Sequence, residues 1–102
     1  MATNVKMYVE YWNKDEYRIR LEKLISAIEK EVSGVDVIGE AGRSKTFEIV
    51  INGKLVYSKL KYGCFPKAID VIRGLKEVKE GREPKIIGAN KRQQQGLQQP
   101  NS

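Results

Sequence analysis

The sequence predicts an α/β fold in which a mixed four-stranded sheet carries two helices on one face, in the order β-α-β-β-β-α. Three observations predict it: alternating apolar residues at the start, an apolar stripe of helical period after them, and an Asn-Gly pair between two short strand-like runs. A chain of 102 residues with 40% apolar residues supports one domain with a two-layer core.

The N-terminal third predicts a strand that runs directly into a helix. Apolar and polar residues alternate from Val5 to Tyr11, which is the period of a strand with one buried face. From Asp15 onward, apolar residues recur at spacings of three and four, the pattern of an amphipathic helix. These residues are Tyr17, Leu21, Leu24, Ile25, Ile28 and Val32. Asn13 and Glu16 have the spacing of a capping box, which predicts the start of the helix.

Three further strands are predicted after this helix. Residues 35–38 form a short strand, and a strand-helix-strand unit implies that it pairs with the first strand in parallel. Residues 39–45 are expected to be a loop, because they contain Gly39 and Gly42 and glycine is typical of turns and loops. Residues 46–51 and 54–59 have the composition of strands and form a hairpin.

Asn52-Gly53 fixes the expected register of that hairpin, because both residues accept the positive φ of a type I′ turn. The expected pairs are Ile51 with Lys54, Val50 with Leu55, Ile49 with Val56 and Glu48 with Tyr57. The sheet face without helices is then expected to show Tyr8, Glu10, Glu48, Val50, Leu55 and Tyr57. That face is mixed in character, and either an interaction surface or half-shielded aromatic residues would account for it.

Pro66 is expected to open a second helix, since proline suits the first helical turn. Gly81 is a plausible end for it, and beyond that residue the apolar content falls. We therefore assign residues 1–81 to the domain and residues 82–102 to a basic, glutamine-rich flexible tail.

Composition excludes several classes of function. The chain has no histidine, so a histidine-based zinc site and a Ser-His or Cys-His nucleophile are excluded. A single cysteine, Cys64, excludes an internal disulfide and suits a reducing compartment. No leader-like or membrane-spanning apolar run is present, so a cytoplasmic location is expected. The net charge of +6 is spread along the chain and is not interleaved with aromatic residues, which disfavours a nucleic-acid site.

Several stretches resemble the selenoprotein W (Rdx) family, a small thioredoxin-like group. They are Val9-Glu10-Tyr11, Phe47-Glu48-Ile49, residues 51–60 and Gly63-Cys64-Phe65-Pro66, the last matching the family's Gly-Gly-Phe-Pro. The resemblance covers roughly residues 5–92. It implies a thioredoxin-like fold, a role in redox homeostasis or signalling, and partners that dock around the turn between the first strand and the first helix.

This chain departs from the family at that turn. The family's Cys-x-x-Cys, or Cys-x-x-selenocysteine, aligns with Trp12-Asn13-Lys14-Asp15, which we call the 12–15 turn. An indole and a carboxylate cannot undergo thiol–disulfide exchange, so redox enzyme activity through this motif is not expected. The prenylatable C-terminal box found in the family is also missing from Gln99-Pro100-Asn101-Ser102, so no membrane anchor is expected.

We therefore interpret the chain as a monomeric protein-interaction or signalling module that needs neither metal nor cofactor. The candidate partner-binding residues are Trp12, Asn13, Lys14, Asp15, Arg18, Arg43 and Lys45. Tryptophan is enriched in binding hot spots, although the ring of Trp12 is equally well explained as a lid on the helix. The loop that carries Arg43 and Lys45 is expected to approach the turn, and it is either a binding site for an anion or an acidic peptide or a solvated loop.

Two alternatives remain. Cys64 is expected near a helix N-terminus, which would lower the pKa of its thiol and favour a glutathione adduct or mixed disulfide. The simpler interpretation is a small side chain where the family tolerates glycine. The second alternative is a basic nucleic-acid binder, which steep salt dependence would reveal.

Overall fold

The computed structural model of this chain describes residues 4–87. The elements are β1 (Val5–Trp12), α1 (Asp15–Glu31), β2 (Val35–Gly42), β3 (Phe47–Ile51), β4 (Lys54–Ser58), α2 (Lys59–Tyr62) and α3 (Ala68–Lys79). The strands lie in the order β2-β1-β3-β4, with β1 parallel to β2 and both other pairs antiparallel. The predicted mixed four-stranded α/β fold is confirmed.

The core lies between the sheet and the two long helices, α1 and α3. Alternate residues of β1 are buried and the residues between them are exposed or half-exposed, as a strand with one covered face requires. The main contributors are Val5, Met7 and Val9 from β1, Leu21, Leu24 and Ile28 from α1, and Val71 and Leu75 from α3. Burial of each such side chain contributes about 1.5–3 kcal/mol, so this layer holds the fold together.

Two elements differ from the sequence-based expectation. β2 continues to Gly42, because it pairs with β1 residue by residue from Val35 onward, whereas residues 39–42 were expected in a loop. Its last five residues are all exposed, so their sequence shows no regular alternation of apolar and polar residues from which a strand could be predicted. The one-turn helix α2 occupies part of the predicted connection before Pro66.

A β-bulge in the hairpin corrects the predicted register. The pairs nearest the turn are as expected, but Ile49 lies opposite Tyr57 and Glu48 opposite Ser58. An extra residue on β4 opposes β3 at this point, and both Val56 and Tyr57 are buried. The expectation that Tyr57 lies on the open face is wrong, because Tyr57 pairs with Ile49 of the core face and is only 3% exposed. Glu48 lies opposite Glu10 on the predicted face, but it is only 7% exposed and is therefore not open to solvent as expected.

The two helix starts also differ from the prediction. Lys14 is the N-cap of α1 and its side chain makes no capping bond, so the capping box of Asn13 and Glu16 does not form. The N-cap of α3 is Lys67, and the helix begins at Ala68, two residues after Pro66. Prediction of helix ends from sequence is commonly imprecise by this amount.

The chain after α3 returns to the sheet. The backbone N–H of Ile87 donates to the carbonyl of Val56 at 2.9 Å, and its side chain is buried against Gly74. The core therefore extends past the domain boundary assigned at residue 81. The rest of the predicted tail, residues 88–102, lies outside the described residues. No helix within residues 4–87 is both long enough and apolar enough to cross a membrane.

Candidate functional site

The 12–15 turn joins the end of β1 to the start of α1. Trp12 is the last residue of β1, and Asp15 is the first residue of α1. The backbone N–H of Lys14 donates to the carbonyl of Trp12 at 2.7 Å, which makes the turn tight. The N–H of Trp12 donates to the carbonyl of Thr46 at 3.0 Å, so the loop after β2 lies beside the turn.

The side chains of the turn differ in their exposure to solvent and in their contacts. Trp12 is half-buried, whereas Asn13, Lys14 and Asp15 are exposed. The Asp15 carboxylate pairs with the guanidinium of Arg18 one turn further along the helix. A carboxylate in the first turn also suits the positive end of the helix dipole, which stabilises the start of α1. Asp15 and Arg18 therefore satisfy each other, and the turn presents the Lys14 ammonium and the Asn13 amide beside the half-buried indole.

Four rings form a continuous aromatic row behind the turn. Trp12 packs edge-to-face on Tyr17 with ring centres 5.3 Å apart, and Tyr17 packs on Phe65 at 4.9 Å. Phe65 packs in turn on Phe47 at 5.3 Å. Such edge-to-face pairs contribute about 0.5–1.5 kcal/mol each beyond area burial. The row joins three segments that are far apart in sequence and fixes the position of the indole.

Three cations lie over this row. The Lys14 Nζ is 5.2 Å from the centre of the Trp12 ring. The Lys59 Nζ is 5.1 Å from the centre of the Tyr17 ring, and the Arg20 guanidinium carbon is 4.4 Å from that of Phe65. Within residues 4–87, none of these three cations is ion-paired with a carboxylate. We call the four rings and three cations the aromatic–cation surface; Trp12 and Phe65 are its half-exposed rings, whereas Tyr17 and Phe47 are buried beneath them.

Glu48 positions part of this surface from below. Its Oε2 accepts hydrogen bonds from the backbone N–H groups of Phe47 and Lys59 at 3.0 Å and of Leu60 at 3.3 Å. The carboxylate thus satisfies donors at the start of α2, as helix N-termini require. Gly63 ends α2 with a φ of 81°, a left-handed conformation that glycine adopts at little cost, and so directs the chain toward Phe65.

Five members of the surface are not among the candidate residues predicted from the sequence: Tyr17, Arg20, Phe47, Lys59 and Phe65. Tyr17 was assigned to the core stripe and Lys59 to a strand, both of which are consistent with their local patterns. The contact between Tyr17 and Phe65 joins residues that are far apart in the sequence, and no periodic pattern predicts it. The resemblance of Gly63-Cys64-Phe65-Pro66 to a family motif was the one pointer to Phe65.

Arg43 is engaged elsewhere. Its Nε and Nη2 donate to the two oxygens of Glu10 at 2.9 Å each, and its backbone N–H donates to Glu10 at 2.8 Å. The Arg43 hydrogen bonds lower the pKa of Glu10, and the Glu10 carboxylate raises the pKa of Arg43. The loop approaches the 12–15 turn through Thr46, but its arginine is already paired. Lys45, with a φ of 65°, is exposed in the same loop.

Cys64 adjoins the aromatic row through its neighbour Phe65. The Tyr57 hydroxyl donates to the Cys64 carbonyl at 2.5 Å and lies 3.4 Å from the Sγ. Cys64 follows Gly63, the C-cap of α2, and lies three residues before Lys67, the N-cap of α3, so an effect of the α3 dipole on its thiol stays a prediction. Among residues 4–87, no group of three or more His, Cys, Asp or Glu side chains is arranged to hold a metal ion.

Sequence comparison links the chain to a known family. The model of the Rdx family matches residues 6–77. The chain is 34% identical over 77 residues to migration and invasion enhancer 1 of Bos taurus, a match that covers 76% of this chain and 67% of that protein. It is 33% identical over 80 residues to the same protein of Mus musculus, covering 78% and 70% of the two chains.

Solved structures share the fold at lower sequence identity. A selenoprotein W-related protein from Vibrio cholerae superposes with a TM-score of 0.66 at 15% identity, covering 76% of this chain and 99% of that chain. A protein from Bordetella parapertussis superposes with a TM-score of 0.61 at 17% identity, covering 78% and 99%. Because the family model matches residues 6–77, which include the 12–15 turn, the chain belongs to the Rdx family.

Proposed function

We propose that this chain is a protein-interaction module, in which the aromatic–cation surface binds an acidic segment of a partner protein in place of thiol chemistry. The observation that carries the proposal is the combination at the 12–15 turn: a half-buried indole, held by Tyr17, beside cations with no carboxylate partner within residues 4–87. The module is proposed to act as a cytoplasmic monomer without a cofactor.

The chemistry of the turn favours binding over catalysis. Trp12 and Asp15 stand where the resemblance aligns the family's thiol or selenol pair, and neither side chain can attack a disulfide. A rigid indole loses little conformational entropy on binding and buries a large area, which is why tryptophan is frequent in hot spots. The cations Lys14, Arg20 and Lys59 supply the charge complementarity that would select an acidic partner.

The charge distribution favours a protein partner over nucleic acid. Of the five arginines within residues 4–87, four pair with carboxylates: Arg18, Arg43, Arg73 and Arg82. The fifth, Arg20, lies over the Phe65 ring. A phosphate-tracking surface needs a stripe of available cations, and these four arginines would first have to leave their pairs to join one.

The single tryptophan makes the test direct, because Trp12 fluorescence reports only on the 12–15 turn. The full chain is titrated with short peptides that contain Asp or Glu beside apolar residues, and with the same peptides carrying Lys in place of the acids. We expect a saturable change in emission with the acidic set alone. By calorimetry, Trp12→Ala should lose this binding. Tyr8→Ala, an aromatic change on the open face of the sheet, should retain it.

Two outcomes would contradict the proposal. One is equal affinity for acidic and basic peptides, which would remove the role of the cations. The other is full binding by Trp12→Ala, which would remove the role of the turn.

A glutathione-linked role for Cys64 is the second candidate. The supporting observation is the Tyr57 hydroxyl 3.4 Å from the Sγ, since rotation of that O–H away from the Cys64 carbonyl would supply a donor to a thiolate. An insulin-reduction assay and a mixed-disulfide assay on the wild type and Cys64→Ser separate the two candidates. Activity in the wild type that disappears in Cys64→Ser, together with no peptide binding, would favour the thiol.

A further inference from the structure

A small cleft opens beside the aromatic row, between α1 and the segment that joins α2 to α3. Its volume is about 170 Å³. Its lining consists of Arg20, Lys23 and Leu24 from α1, Phe47 from β3, and Phe65, Pro66 and Ala68. Phe65 belongs to both the cleft and the aromatic row, so the cleft continues the surface that begins at Trp12.

The size of the cleft limits its occupant. Pockets for drug-sized molecules and organic cofactors measure roughly 300–1,000 Å³. A cavity of about 150 Å³ lined by apolar side chains accommodates one benzene ring. A volume of about 170 Å³ therefore suits one large apolar side chain. The floor is apolar too, since Leu24 and Phe47 are buried beneath the opening.

The rim of the cleft is cationic. Arg20 and Lys23 are three residues apart on α1 and thus lie on one side of the helix. The Arg20 guanidinium lies over the Phe65 ring, and Lys23 is exposed. Neither residue is ion-paired within residues 4–87, and no acidic residue lines the cleft. The complementary ligand carries negative charge on each side of an apolar group.

We infer that the cleft is a pocket for one aromatic or large aliphatic side chain of an acidic peptide, whose flanking carboxylates pair with Arg20 and Lys23. The inference rests on the proposed function and deepens it, because it assigns the sequence class of the segment that the module binds. The segment runs from the Trp12 ring past the half-exposed Phe65 ring into the cleft, with Tyr17 buried beneath it, so one extended peptide contacts both ends of the surface.

The experiment uses the full chain and three peptides of equal length. The first has a central Phe flanked by Asp and Glu, the second has Ala in place of that Phe, and the third has Lys in place of the acids. Loss of one ring from an apolar pocket should weaken binding about tenfold or more, so the second peptide should bind correspondingly less tightly. The third should bind least.

Variants of the cleft complete the design. Ala68 lines the cleft at the exposed start of α3, so Ala68→Trp fills the pocket without disturbing the core. It should remove the difference in affinity between the Phe and Ala peptides, whereas Ala68→Ser, which leaves the pocket open, should preserve it. Lys23→Glu should weaken the Phe peptide, and Lys30→Glu, at the far end of α1, is the matched charge control.

The outcomes separate the pocket from the function it rests on. If acidic peptides bind through Trp12 but the Phe and Ala peptides bind equally, the pocket is overturned and the proposed function stands. Unchanged discrimination in Ala68→Trp also overturns the pocket. Competition by a free aromatic carboxylate as strong as by the Phe peptide would assign the cleft to a small molecule instead. Binding of no peptide overturns both.

Discussion

Two basic regions lie near the same end of the molecule and differ in how their charge is used. Arg43, in the loop after β2, is 69% exposed but donates two side-chain hydrogen bonds to Glu10. Arg20 and Lys59, beside α2, lie over the Phe65 ring with no carboxylate partner within residues 4–87. An acidic ligand would have to displace Glu10 at the first region, but not at the second. The exposure of a cation is therefore a poor guide to its availability.

Two neighbouring carboxylates produce this difference. Glu10 on β1 lies directly opposite Glu48 on β3. Glu10 holds the Arg43 side chain, whereas Glu48 accepts from backbone N–H groups at the start of α2 and so presents Lys59 to the rings. Glu10 thus neutralises the Arg43 guanidinium, whereas Glu48 binds the Lys59 backbone and leaves the Lys59 ammonium over the rings.

The largest effect is expected from Phe65→Ala, which removes the ring that joins Tyr17 to Phe47 and lies beneath Arg20. The free energy of unfolding should fall by about 3 kcal/mol, measured by urea denaturation. Ile69→Ala is the control, because that side chain is 62% exposed and its loss should cost under about 0.5 kcal/mol. Equal stability of the two variants would mean that the aromatic row is not a structural unit.

A smaller loss is expected from Glu48→Ala, which leaves the N–H groups of Phe47, Lys59 and Leu60 without their acceptor. The cost should be about 2 kcal/mol, because a buried unsatisfied donor retains its desolvation penalty. Amide hydrogen exchange should accelerate at Lys59 and Leu60. Glu48→Gln, which retains an acceptor oxygen, should recover part of the loss. Unchanged exchange at both amides would argue against the role given to Glu48.

The smallest change in stability is expected from Arg43→Ala, since an exposed ion pair contributes little. The pKa of Glu10 is lowered in the folded state from its ordinary value of 4.5, so its pairing stabilises the fold above that pH. The contribution disappears as the pH falls from 4.5 through the folded-state pKa. The difference in unfolding free energy between wild type and Arg43→Ala should therefore vanish in acid.

Arg43→Ala also sharpens the contrast between the two regions. The affinity of Arg43→Ala for acidic peptides should equal that of the wild type, whereas Lys59→Gln should bind the same peptides less tightly. A large loss of peptide affinity in Arg43→Ala would show that the Glu10 pair opens on binding, and the two regions would then act as one.

Much of the fold follows from local patterns. The structure confirms the strand predicted from the alternation in β1 and the helix predicted from the stripe of α1. It also confirms the hairpin predicted from Asn52-Gly53. The bulge escaped prediction because Val56 and Tyr57 are both apolar, so either register buries an apolar side chain. The short helix α2 depends on Glu48, whose acceptor role requires β3 and α2 to be already in contact. No local sequence pattern predicts the contact between β3 and α2.

The site divides in the same way. The position of the 12–15 turn followed from a strand next to a helix, and the absence of thiols there is visible in the sequence. Arg43 and Glu10 are 33 positions apart in the sequence. Trp12 and Phe65 are further apart and are linked by Tyr17, which packs against both rings. Side chains that meet only through the tertiary fold are beyond the reach of periodicity, and these are the contacts that decide which cations are available.

The position of Ile87 has a practical consequence. Its N–H covers the Val56 carbonyl on the outer edge of β4, and its side chain fills the space beside Gly74. A version of the protein shortened at Gly81 would leave that edge bare and a void over α3. Bare strand edges recruit strands from other molecules, so such a version should aggregate, and shortening after Ile87 preserves the shield.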